Sequence, residues 1–125
     1  MQNEPSLIAV DVARAFRRHL RALFKKYRHI RSDIQPILDA IGSGEFLGDR
    51  IPGTEYVVLK VRIRNRDIEK GKRSGYRLIY QVKTPMAVLL LTIYSKLDQG
   101  DISPNQIRKI INEESTGPAQ LPKQR

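Results

Sequence analysis

Between Tyr56 and Asn65 the chain alternates clearly. Val57, Leu59, Val61 and Ile63 occupy the odd positions, and Lys60, Arg62 and Arg64 the even ones. Successive side chains of a strand point to opposite faces, so this period of two requires a strand, read over residues 56–65, in a sheet with one buried side. Three cations then project from the other side with no acid among them. Such charges merely blunt edge pairing if the face is solvated. Close like charges cost stability unless an anion offsets them, and the pattern therefore reads as an anion-binding face.

The flanking segments give that strand its neighbours. Residues 76–83 form a second strand, Thr84-Pro85 begins a turn, and residues 87–94 are nearly all apolar, as expected of a central strand buried on both faces. Upstream, residues 6–12 read as a strand. Phe16, Leu20, Leu23, Phe24, Tyr27 and Ile30 recur at helical spacing and share one face, opposite Arg17, Arg18, Arg21, Lys25 and Arg28. Ser32 or Asp33 is the expected N-cap of a second helix through Ile34, Ile37, Leu38 and Ile41, with Pro36 tolerable in its first turn. Gly42 and Gly44 end that helix. Residues 48–54 read as a loop. Ser103-Pro104 caps a short final helix carrying Ile107, Ile110 and Ile111.

The order predicts an α+β fold: an N-terminal strand and helical hairpin packed on one face of a curved antiparallel sheet, then a short C-terminal helix. One domain spans residues 1–114. The tail, 115–125, has too little apolar surface to order itself. The other sheet face is left to the basic residues. There is no cysteine, which removes disulfides and thiolate metal sites. No apolar run, that of residues 87–91 included, is long enough for a membrane span, and the N-terminus lacks the basic start of a signal peptide, so a cytoplasmic location is expected.

Lys and Arg number 23 against 13 Asp and Glu, a net charge of +10. The excess favours a polyanionic partner. Sixteen of those cations fall in two segments, residues 14–31, which contain no acid, and residues 60–77. The basic face of the first helix is a solvated surface, a membrane-surface helix or a steering surface for a large RNA; its apolar side is needed for the core, which disfavours the membrane. Arg77 begins the second strand and Lys96 follows the third, so strand pairing gathers Lys60, Arg62, Arg64, Arg77 and Lys96 on a concave patch. Lys70, Lys72 and Arg73, in the run KGKRSG, form either a loop gripping an RNA backbone or a solvated one; the run lacks the glycine spacing of a nucleotide-binding P-loop. Tyr94 is either core or a base-stacking surface beside Lys96. His19 and His29 lack metal-pair spacing and read as surface or packing residues. No metal site, nucleophile or cofactor motif is evident.

The stretch LKVRIRNRDIEKGKRSGYRLIY, residues 59–80, followed by LLLTIYSKLDQGDIS, resembles the RelE/ParE toxin superfamily, and within it the HigB-like branch. The resemblance covers most of residues 56–111. It implies the toxin of a type II toxin–antitoxin pair, a ribosome-dependent mRNA endonuclease in which the substrate's own 2′-hydroxyl attacks the adjacent phosphate without a metal or other cofactor. Its partners are the antitoxin, the ribosome and mRNA, with no membrane. Lys60, Arg62, Arg77 and Lys96 match the catalytic positions; Arg64, Lys70, Lys72, Arg73 and Tyr94 are the expected RNA contacts. Arg62 stands where some relatives carry a general-base lysine, and arginine stays protonated, so it suits an anion clamp. Lys60 is the better base, because neighbouring cations favour release of its proton. Ile102 stands near the family's C-terminal aromatic. A second branch, the ParE-like toxins, inhibits DNA gyrase by binding alone. A basic adaptor without toxicity would explain the charge but neither motif block.

Overall fold

The computed structural model describes residues 8–68 and 75–115. Its elements are β1 (Ala9–Val12), α1 (Arg14–Lys26), α2 (Ile30–Gly42), β2 (Asp49–Arg50), β3 (Val58–Ile63), β4 (Tyr76–Thr84), β5 (Ala87–Ser95) and α3 (Pro104–Ser115). The fold is α+β, with one sheet ordered β1-β5-β4-β3-β2. The two hairpin pairings, β3 with β4 and β4 with β5, are antiparallel as expected. The apolar segment becomes β5, flanked by β4 and β1 and buried along nearly its whole length.

The sheet is mixed, which corrects the expectation of a wholly antiparallel one. β1 lies parallel to β5, pairing Ala9 with Ala87 and Val12 with Leu90. The chain leaves β1 through two helices and re-enters the sheet at its far edge, so β5 reaches β1 only after a long crossover, and such a connection permits parallel pairing. β2 was expected to be loop. Its pairing with β3 depends on Gly48 at φ +107°, where a Cβ would lie 2.5 Å from the Lys60 carbonyl oxygen.

Local signals explain most element ends. α2 closes in a Schellman motif: Gly44, at φ +99°, donates its N–H to Ile41 O, and Glu45 donates to Ala40 O. α3 opens in a reciprocal capping box, with Gln106 N–H donating to Ser103 Oγ and Ser103 N–H donating to Gln106 Oε1. The junction of α1 and α2 differs from expectation. α1 stops at Lys26 because Tyr27 turns extended, and α2 begins at Ile30 rather than beyond Ser32 or Asp33. The buried Asp33 carboxylate accepts instead from Arg66 Nε at 2.5 Å and from Arg66 N–H. His29 and Asp67 form a second tie, through the His29 N–H and Nδ1. The beginning of the β3–β4 connection is thus pinned to the start of α2. Phe24 also departs from the expected core face. It is exposed and lies beneath the Arg31 guanidinium, 4.8 Å away.

The largest correction concerns the cationic sheet face. Register puts Val58, Lys60 and Arg62 on the same side as Gln81, Ile79 and Arg77, and these beside Thr92 and Tyr94. Val58 and Ile79 are fully buried, so that side is half apolar and needs cover. α3 supplies it: Ile107 and Ile111 are buried, and clefts under the helix are lined by Ile110 and Ile111 together with Gln81, Leu89, Thr92 and Tyr94. Val57, expected inside, precedes β3 and is exposed. Ser115, expected in the tail, ends α3; the rest of that tail lies outside the described residues.

His19 reaches from α1 to the sheet, with 2.6 Å between Nδ1 and Thr92 Oγ1. Burial, and secondarily the Arg18 charge, lower its pKa below the ordinary 6.5. The unfolded chain therefore takes up a proton near pH 6.5 that the folded chain refuses. Stability from this site is complete above pH 6.5 and falls as the pH drops from there through the lowered folded-state value. Thermal melts from pH 7.5 to 5.5 should show a decline that is flatter in His19→Gln; parallel curves for the two proteins would refute this origin.

Candidate nucleic-acid interface

Two strands and the turn after β5 build the site. The pleat of β3 sends Lys60 and Arg62 to one side, and pairing sets Arg62 opposite Arg77, and Arg77 opposite Tyr94. Lys96 follows β5 directly, and its N–H donates to Gly75 O at 2.9 Å, which extends the ladder by one bond. Gly75 is itself wedged against β3. A Cβ there would sit 2.1 Å from Ile63 O, so only glycine permits this approach, and the approach fixes Arg77 against Arg62.

Three of the four expected catalytic cations share an electrostatic centre that sequence reasoning missed. Asp101 Oδ1 lies 3.1 Å from Lys96 Nζ and 3.6 Å from Lys60 Nζ. Its charge also acts on Arg77. The Asp101 carboxyl is held below the usual carboxylate range, first by the hydrogen bond from Lys96 and then by the charges of Lys60 and Lys96. The exposures are uneven: the Lys60 side chain is 21% exposed, Lys96 33% and Asp101 67%. The carboxylate therefore caps the ammonium groups from the solvent side. Asp101 stands five residues after Lys96 with no periodic signal, and its role depends on how the turn folds back over β3.

Arg62 and Arg64 are exposed and have no ion-pair partner among the described residues. Arg77 is 5% exposed and donates from Nη1 to Tyr76 O. Burial, and then repulsion from Arg62, lower its pKa, partly offset by Tyr94 and Asp101. Cation placement is thus graded, from the buried Arg77 through the bridged lysines to the open Arg62 and Arg64. Tyr94 is 6% exposed and belongs to the core, so it is not the open stacking surface that was one of its two expected roles. Ile102 is also buried core. Lys70, Lys72 and Arg73 lie outside the described residues. Beside Lys60 and Asp101 a cleft of about 250 Å3 opens, walled by Ile51, Pro52 and Ile102.

Among the described residues no group of three His, Asp or Glu side chains is placed to hold a metal ion, and no helix is long and apolar enough to cross a membrane. Chemically, the site can bind an anion with several cations at graded depths and stabilise negative charge developing on it. No family model and no curated protein matches the chain.

Proposed function

We propose that this protein is a RelE/ParE-type toxin of the HigB-like kind, a cytoplasmic endonuclease that cleaves mRNA on the ribosome and is neutralised by a cognate antitoxin. The observation that carries the reading is the gathering of Lys60, Arg62, Arg77 and Lys96, from three separate chain segments, on one side of the sheet. In this reading Arg62 and Arg77 clamp the scissile phosphate, and Lys96 offsets charge on its oxygens. Lys60, in its uncharged amine form, takes the proton of the 2′-hydroxyl as its oxygen bonds to phosphorus. The phosphorus–5′-oxygen bond then breaks, and the leaving oxygen takes a proton from solvent water, giving a 2′,3′-cyclic phosphate and a 5′-hydroxyl. The cleft beside Lys60 offers apolar walls to a neighbouring base. The ribosome holds mRNA in a fixed path and so supplies orientation, which is worth about 7–11 kcal/mol for well-placed groups.

Expression in bacteria with mapping of mRNA 5′ ends tests the proposal. Breaks phased to codons, reproduced in vitro only with translating ribosomes, are the expected result. Equal cleavage of free mRNA would remove the ribosome from the mechanism. Intact mRNA accompanied by DNA breaks would point instead to gyrase.

A further inference from the structure

Resting on that reading of the site, we infer that Asp101 is a built-in competing anion that makes the site select a chain of phosphates over a single phosphate. The carboxylate bridges the two lysine ammonium groups and is more exposed than either. It thus stands where an incoming phosphate oxygen would meet them. It is also tethered. A covalently held ligand acts at an effective concentration in the millimolar range or above, so a free monophosphate must compete with a neighbour that never leaves.

A nucleic-acid strand escapes this competition. Arg62 and Arg64 are exposed and without ion-pair partners among the described residues, so they can take the first phosphates. The next phosphate is then delivered to Lys60 and Lys96 as an intramolecular event and can displace the carboxylate. The Asp101 side chain is 67% exposed, so little packing opposes its outward swing. The turn itself continues into the buried Ile102 and the capped start of α3, which leaves the displacement local.

The test compares wild type, Asp101→Asn and Arg62→Ala, using inorganic phosphate and a short 2′-O-methyl RNA strand, which cannot be cleaved, as probes. Wild type should bind the strand and gain no thermal stability from millimolar phosphate. Asp101→Asn should bind the strand about five-fold more tightly at low salt, the effect of removing one opposing charge near 4 Å in water. Its log affinity should fall with log salt more steeply, by up to about 0.7. It should also be stabilised by phosphate. Weaker or unchanged strand binding by Asp101→Asn, with Arg62→Ala impaired, would overturn the competing-anion role and leave the site reading standing. Wild-type affinity in Arg62→Ala would instead overturn the site reading on which the inference rests. Should Asp101→Asn fail to fold, the 13C resonance of the Asp101 carboxyl in wild type decides: it should move on adding the strand and stay in place with phosphate, and immobility with both would refute the displacement.

Discussion

On the proposed function, Lys60→Ala and Arg62→Ala should each abolish growth inhibition, with ribosome-dependent mRNA cleavage falling about a hundred-fold or more, as when a single transition-state contact is removed from an oxyanion site. Their effects on stability should differ. Lys60 loses a partly exposed ion pair with Asp101, which costs about 1 kcal/mol at most. Arg62 faces Arg77 directly across the β3–β4 ladder, and its removal relieves repulsion between like charges, so the melt should hold or rise slightly. Arg77→Ala would not be a clean test, because the side chain is buried and its loss disturbs packing around Tyr94 as well as charge. Arg77→Lys keeps the charge and removes the planar fork, and should cost cleavage more than stability. Full toxicity in both Lys60→Ala and Arg62→Ala, with folding intact, would mean that the active face lies elsewhere.

The largest expected change in stability follows from Gly75→Ala. The added methyl would meet the Ile63 carbonyl at 2.1 Å and Arg64 Cα at 3.2 Å, and both are backbone atoms that cannot swing aside as a side-chain tip would. Either β4 separates from β3 at its first pair or the Lys96 N–H loses its Gly75 acceptor. A penalty of about 3 kcal/mol or more is expected, in the range reserved for backbone clashes and broken cores. Urea unfolding measures it. Gly100→Ala is the control: that position is open and should change stability by less than about 1 kcal/mol, with a slight gain if the unfolded chain loses freedom. Equal midpoints for Gly75→Ala and wild type would show that the tight crossing of β3 and β4 is not what holds Arg62 against Arg77.

Signals that act within a few residues were readable from the amino-acid order. The period of two from Val57 to Arg64 marked β3 and its cations. The apolar run marked β5 as an interior strand, Ser103-Pro104 marked the start of α3, and Gly44 marked the end of α2. Each arises from strand pleating, helix pitch or an end-group hydrogen bond, and these depend on neighbours close in the chain. The same rules faltered where two local preferences competed. Helical spacing carried through Tyr27 to Ile30, yet the extended backbone at Tyr27 separated two helices, and the break left Phe24 outside.

Chain path settled the remainder. Nothing in residues 9–12 states that they will lie parallel to β5; that follows from two helices carrying the chain away before the hairpins bring it back. The apolar pair Val58 and Ile79 shares a side with the cations only once β3 and β4 are in register, and that shared side is why α3 folds over it. Tyr94 had two roles open to it as a strand-end aromatic, and packing under the turn and α3 made it core. Asp101 is an ordinary acid in a polar turn until the turn sets its carboxylate over Lys60, 41 positions earlier, and Lys96. Periodicity reports which face a side chain takes, whereas charge pairing across such separations depends on the distances that only the closed fold creates.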